Sequence, residues 1–410
     1  MSNEPKVTSR NGNDHPVLVP KLRFPEFRDG PEWKSGKVDE LVDTVTPPKK
    51  LPTSNYLSSG NFPIIDQSQS EICGWTDNHE ALIQEDLPLI VFGDHTCILK
   101  LVDFPFAQGA DGIKILKSRP PIKTSYLYQY LSYRPVITEE YKRHYSILKE
   151  KMVLFPDVKT GEQQKIADCL SSVDELIAAQ ARKVDALKTH KKGLMQQLFP
   201  REGETQPRLR FPEFKNAEEW EPKSIGKLGE VVTGSTPSTA QPEYYVGDRL
   251  FVSPADISDS RFVEKTKTTL TSLGFEETRP IKANSVLFVC IGSTIGKIAQ
   301  NRHECATNQQ INSVIPNLNN SDGFVYYALS SMAAKISKLA GIQAVPIVNK
   351  SIFSSVELAA PELPEQERIA DCLSAIDEAI LAQTEKLAAL KTHKKGLMQQ
   401  LFPSAEEVEA

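Results

Sequence analysis

The chain lacks most of what secreted, metal-bound and membrane proteins depend on. Its six cysteines (Cys73, Cys97, Cys169, Cys290, Cys305, Cys372) stand singly, with no C-x-x-C pair and no histidine at finger spacing, which argues against a zinc site or a disulfide framework. Reduced thiols and a cytoplasmic location are the expectation. No run approaches the roughly 18 apolar residues of a membrane helix, so no membrane contact is expected. MSNEPKVTSRNGNDHPVLVP at the N-terminus carries no apolar signal core and reads as a flexible polar tail over residues 1–20. An excess of positive charge is missing too: 48 Lys and Arg against 53 Asp and Glu leave −5 overall, so any nucleic-acid contact has to come from local patches.

Catalytic motifs are also absent. GSTIGKI (Gly292 to Ile298) places three residues between Gly292 and Gly296 where a phosphate-binding loop requires four, and Ile298 stands where a magnesium-ligating hydroxyl belongs. It reads as a turn between strands. PDVKTGEQQK (Pro156 to Lys165) has nuclease-like letters, but Glu162 and Lys165 fall one turn apart at a helix start, where capping is expected. Asn-Pro-Pro-aromatic and Phe-x-Gly-x-Gly, which a chain moving a methyl group from S-adenosylmethionine would carry, do not occur. No catalytic residue and no bound metal or cofactor are expected.

What is present is a long internal repeat. With 410 residues, 40% of them hydrophobic, the chain can bury more than one core. KTHKKGLMQQLFP occurs at Lys188 to Pro200 and again, unchanged, at Lys391 to Pro403, 203 positions later. The match extends upstream, GEQQKIADCL from Gly161 against PEQERIADCL from Pro364. LRFPEF at Leu22 to Phe27 recurs at Leu209 to Phe214, and Trp33 at Trp220, both offset by 187. LPLIVFG (Leu87 to Gly93) aligns with LFVCIG (Leu287 to Gly292), and Ala107 with Ala306. A repeat this long means duplicated domains, because solenoid units run only about 20 to 50 residues.

Both copies end in an amphipathic helix. Ile166, Leu170, Val173, Ile177, Val184, Leu187, Leu194 and Leu198 alternate by threes and fours, with Gln180 and Lys191 in the two remaining seam positions. Ile369, Leu373, Ile376, Ile380, Leu387, Leu390, Leu397 and Leu401 repeat the seam, with Gln383 and Lys394 in the same polar slots. Thr160 and Gln163 suit a capping box at the first start, Pro364 a first-turn proline at the second, and Phe-Pro ends both. A helix from Glu162 to Leu198 is about 55 Å long at ~1.5 Å per residue. The two helices are expected to pair antiparallel, although the same seam also suits a separate partner subunit. His190 and His393, lying inside the repeat, suggest a docking or structural surface rather than a catalytic base. The stretches between, from about Lys21 to Phe155 and from Leu209 to Leu358, mix short β-branched and aromatic runs with helical ones and diverge from each other outside the echoes.

The order domain, helix, domain, helix resembles the specificity subunit of type I DNA restriction-modification enzymes. GNFPIIDQSQSEICGWTDN (Gly60 to Asn78) is similar to that family's strand and Gln-rich loop near the start of a target-recognition domain. SVLFVCIGSTIGKIAQ followed by CATNQQINSVIP (Cys305 to Pro316) is similar to its later Gly-turn and Asn-Gln-Gln segment, and the likeness covers about Lys21 to Pro403. It implies an α+β fold: two mixed α/β target-recognition domains separated by two long antiparallel helices in a coiled-coil-like spacer, related by an internal pseudo-two-fold. The expected division is a tail to residue 20, target-recognition domain 1 over 21–156, helix 1 over 157–200, a linker over 201–208, domain 2 over 209–360, helix 2 over 361–403 and an acidic tail over 404–410.

The resemblance further implies that each variable domain reads one half of an asymmetric bipartite site on double-stranded DNA. The helices set the spacing and dock two methyltransferase subunits, and through them two restriction/translocase subunits, which carry S-adenosylmethionine, ATP and magnesium. Asn and Gln suit adenine edges, Arg and Lys guanine, and hydroxyls phosphate. On that chemistry the candidate contacts are Gln67 and Gln69 in the first half, and Thr236, Ser293, Thr294, Lys297, Asn308, Gln309, Gln310 and Asn312 in the second. The first half departs from the second at GDHTCILKL (Gly93 to Leu101), which replaces the Gly-turn. Lys114, Lys117, Arg119, Lys123 and Arg134, with Lys265, Lys267, Arg279 and Lys282, are candidate phosphate patches. The alternatives are a specificity module of a differently composed restriction or orphan methyltransferase system, and an interaction scaffold that never touches DNA.

Overall fold

In a computed structural model, residues 19–110, 112–137, 144–201, 203–341 and 345–403 are described; the expected N-terminal and acidic tails lie outside them, save Val19 and Pro20. Two long helices run Glu162–Leu198 and Leu363–Leu401. The chain groups into two units, residues 1–180 with 386–410 and residues 181–385. Each long helix therefore contributes to both units, whereas the sequence division kept the helices as segments apart from the domains.

In the first unit strands Val42–Val45, Ile113–Ser118, Leu89–Gly93 and Leu99–Val102 lie side by side in that order, all antiparallel. LIVFG reads as a continuous apolar run because both faces of that strand are covered. Ile90 and Phe92 face a core with Trp33, Tyr126, Tyr130, Ile166 and Leu170, while Leu89 and Val91 face Ile65, Val102 and Phe106. The second unit repeats the antiparallel order with Gly229–Thr233, Ile311–Pro316, Val286–Val289 and Ile298–Asn301, and adds Phe262–Val263 parallel to the last of these. Val286 and Phe288 face helix Asp322–Ser337 through Phe324 and Tyr327, and Leu287 and Val289 face Val252, Ile257 and Ile281. The period-two alternation of strand side chains thus serves two cores at once.

Every seam position is buried or half-buried, while the off-seam Leu176 and Leu381 are more than half exposed. Within the first unit Met398 and Leu401 share a core with Ile166 and Leu170, and Lys394 pairs with Asp174, so the two helical segments run antiparallel. In the second unit Lys191 pairs with Asp377, and Leu198 shares a core with Ile369 and Leu373, again antiparallel.

The helix starts differ from the expected capping box. Gly161, at φ +83°, separates Thr160 from the helix, and among the described residues Thr160 Oγ1 accepts only from the Glu162 amide, at 3.3 Å. Gln163 turns inward instead, donating to the carbonyls of Pro121 and Pro156 and accepting from the Lys123 amide. Its twin Gln366 donates to Pro361 O and Asn320 Oδ1 and accepts from the Ser321 amide. Glu162 does not cap either: its carboxylate takes two bonds of 2.7 Å from Arg23, which also donates to Gly30 O and Pro31 O. Arg210 and Glu365 repeat this pair, and so explain the LRFPEF echo: the motif straps the domain start to its helix.

Candidate nucleic-acid interface

The antiparallel registers place the end of Gly229–Thr233, the end of Val286–Val289 and the starts of Ile298–Asn301 and Ile311–Pro316 at one end of the second sheet. The loops leaving that end hold the second-half candidates except Asn312, which lies within strand Ile311–Pro316. Ser293, Thr294 and Lys297 occupy the connection between two adjacent strands, where Gly292 and Gly296 adopt φ +94° and +97°; this is a turn, as the failed phosphate-loop match implied. Gln310 donates to Ile291 O at 3.4 Å, and Asn308 donates to Gln310 Oε1, which joins the two loops. Thr236 Oγ1 donates to Gln309 Oε1 at 2.6 Å. Close approach here requires Gly234, since a Cβ at that position would stand 2.2 Å from Thr307 O.

Thr236, Ser293, Lys297 and Gln309 are exposed, and Thr294, Asn308 and Gln310 half-buried. Lys297 extends to Pro254 O and Ile257 O. Asn312 is different: it is 3% exposed, accepts from Thr233 Oγ1 at 2.6 Å and bonds the Cys290 thiol. Burial pushes that thiol up to about 12, with the Asn312 bond partly opposing the rise, so Cys290 is a neutral group beneath the loops. Asn312 supports the loops from inside and is not available to a ligand at the surface. Arg279, exposed, donates to Thr233 O at 2.8 Å and brings a cation to the same end.

In the first unit the matching sheet end holds Val45, Gly93 and Ile113. Gln67 lies against it: Thr96 Oγ1 donates to Gln67 O, and a Cβ at Gly112, φ +95°, would stand 2.7 Å from Gln67 Nε2. Gln67 Oε1 is buried without a partner among the described residues, whereas Gln69 is exposed. Asp66 anchors this loop by accepting from the Ser68 amide and the Cys73 thiol, while Lys100 donates to Asp66 O. Burial works against the Asp66 carboxylate, but those bonds prevail and its pKa is lowered.

Thr46, Lys49 and His95, which are not among the sequence candidates, are also exposed in loops at this end. A signal existed: Thr46-Pro47 follows its strand as Thr236-Pro237 follows the other. Several proposed phosphate cations have partners within the unit: Lys117 with Glu85 and Asp86, Arg119 with Asp43, Lys123 with Gln164, Lys114 over the Tyr145 ring. Lys265, Lys267 and Lys282 are exposed, as are His190 and His393. Among the described residues no group of His, Cys, Asp or Glu is arranged to hold a metal, and no helix is long and apolar enough to cross a membrane.

A family model described as type I restriction modification DNA specificity domain matches residues 217–392. The Escherichia coli EcoR124I/EcoR124II type I restriction enzyme specificity subunit is 26% identical over 378 residues, 88% of this chain and 90% of that one. The HindI specificity subunit of Haemophilus influenzae is 34% identical over 147 residues, 35% of this chain and 32% of that one. Among solved structures, the type I restriction-modification S subunit from M. genitalium shares the fold, with a TM-score of 0.65 over 94% of this chain and 100% of that one at 16% identity.

Proposed function

The chain belongs to the specificity-subunit family of type I restriction-modification enzymes, and from that premise we propose that it is the DNA reader and assembly scaffold of such a complex. Its role is recognition rather than catalysis. The observation that carries the reading is the recurrence, at the same end of each unit's main sheet, of exposed polar loops on a frame whose helices are nearly identical. Gln309, Gln310 and Asn308 supply paired donors and acceptors for adenine edges, Lys297 and Arg279 charge for guanine or phosphate, and Thr236, Ser293 and Thr294 hydroxyls for the backbone. Gln69, with Thr46, Lys49 and His95, serves the other half-site, and Gln67 holds its loop in shape.

Because the two sets of loops differ, the site is asymmetric and in two parts. The helices dock two methyltransferase subunits through their near-equivalent surfaces, and through them two restriction/translocase subunits. S-adenosylmethionine, ATP and magnesium reside on those partners, and the complex acts in the cytoplasm. Neither a differently composed system nor a DNA-free scaffold is favoured by the relatives.

The test is duplex binding by the chain assembled with its methyltransferase subunit, measured across salt. Affinity falling linearly in log–log form with salt, by 10³ or more between about 50 and 200 mM for six to ten phosphate contacts, together with sequence preference, is expected. Weak, salt-insensitive binding would refute it. Native mass spectrometry is expected to show two methyltransferase subunits per chain, and a one-to-one complex would contradict the docking proposal.

A further inference from the structure

Two carboxylates sit where three parts of each unit meet. In the first unit Asp174 accepts from Lys394 Nζ at 2.6 Å through both oxygens and from Gln129 Nε2 at 2.9 Å. Gln129 belongs to helix Thr124–Tyr133 of the variable domain. In the second unit Asp377 pairs with Lys191 Nζ at 2.6 Å and accepts from Tyr327 OH at 2.6 Å, and Tyr327 belongs to helix Asp322–Ser337. A displacement of 203 positions maps Lys191 onto Lys394 and Asp174 onto Asp377. The third partner changes from glutamine to tyrosine, yet it reaches the same carboxylate.

We propose that Asp174 and Asp377 are positioning residues for DNA reading: each fixes the variable domain, its own helix and the returning helix at one point, and so sets how the reading loops are presented. The inference rests on the function proposed above. Stability alone is a weak explanation. A Lys–Asp pair with side chains 15–38% exposed contributes little net energy, whereas a three-way joint is directional. The remaining seam is largely Leu, Ile and Val, which repeats every heptad and tolerates a slip of about 10.5 Å, seven residues at ~1.5 Å each. Such a slip would carry the lysine away from its aspartate, which is how a polar seam residue selects register. Lys191 also lies 5.2 Å above the Tyr327 ring, a second link between returning helix and variable domain.

The experiment uses the full chain assembled with its methyltransferase subunit and measures methylation of duplexes whose two half-sites are separated by the native gap, or by one base pair more or fewer. D174N and D377N are expected to reduce the preference for the native gap at least tenfold while the bases required in each half-site stay the same. The charge-exchanged variant D174K/K394D is expected to restore most of the preference, because Gln129 Oε1 is buried without a partner among the described residues and is available to accept from the new lysine. Thermal unfolding is followed in parallel. If both Asn variants keep gap preference within twofold of the parent, or lose methylation equally at every gap as they lose stability, the pairs are merely structural and the proposal fails. If the parent itself shows no two-part site, the functional reading fails and takes this proposal with it.

Discussion

Removing Arg23 is the sharpest perturbation of the frame. Its guanidinium makes two bonds of 2.7 Å to Glu162 and one each to Gly30 O and Pro31 O, and the two side chains are 5% and 1% exposed. R23A leaves a buried carboxylate and two carbonyls without their donor. Breaking such a pair costs about 3–5 kcal/mol. In a unit of about 200 residues, at ~2–4 °C per kcal/mol, that is a fall of roughly 6–20 °C in the unfolding temperature of the first unit. R210A acts on the more exposed twin, at 15% and 3%, and should cost less, and only in the second unit. R23K retains the charge but not the planar fork, and should recover only part of the loss. Calorimetry with hydrogen exchange resolved by segment reads both temperature and location. Replacing both partners, as R23M/E162L, removes the stranded charge and should recover most of the loss, short of what the Gly30 and Pro31 carbonyls lose with their donor. R23A within 2 °C of the parent, or a double variant as unstable as R23A, would refute the reasoning.

Three further outcomes follow from the same geometry. Asn308→Ala with Gln310→Ala should weaken binding to the proper site about 5- to 150-fold for each bidentate base contact worth ~1–3 kcal/mol, with little change on random DNA; equal losses on both, by titration, would assign these residues to loop folding. Gln163→Ala strands Pro121 O, Pro156 O and the Lys123 amide, and should cost about 1–3 kcal/mol per unsatisfied group, read by denaturant unfolding. Burial raises both Cys290 and Cys305 to about 12 from 9.0. The folded state therefore holds their protons more tightly, so this stability is intact below about pH 9 and is lost as pH climbs towards 12. Alkylation at pH 8 with mass-spectrometric readout should spare both thiols until the chain is unfolded.

Much of the frame was legible because helix periodicity and repetition are local signals. Glu162 and Leu198 bound the first helix as the heptad pattern and the Phe-Pro stop imply. Ile90 and Phe92 were recognisable as strand core from their run, but not which face each serves, since that depends on sheet neighbours. The capping box failed because Gln163 had a stronger use: three buried backbone groups needed it, and no local pattern records that demand. Arg23 and Glu162 illustrate the same limit, since their partnership spans 139 positions and shows in sequence only as an unexplained echo. At the loops of the second sheet end, residue type selects Gln309 and Lys297, which are exposed, and equally Asn312, which strand pairing turns inward.

The central claim is best tested by modified-base sequencing of host genomic DNA with this gene present and deleted. The account predicts that deletion abolishes methylation at one asymmetric two-part motif with a fixed gap, and that exchanging residues 209–360 for another variable domain alters one half of that motif only. Methylation unchanged at every site on deletion would contradict it.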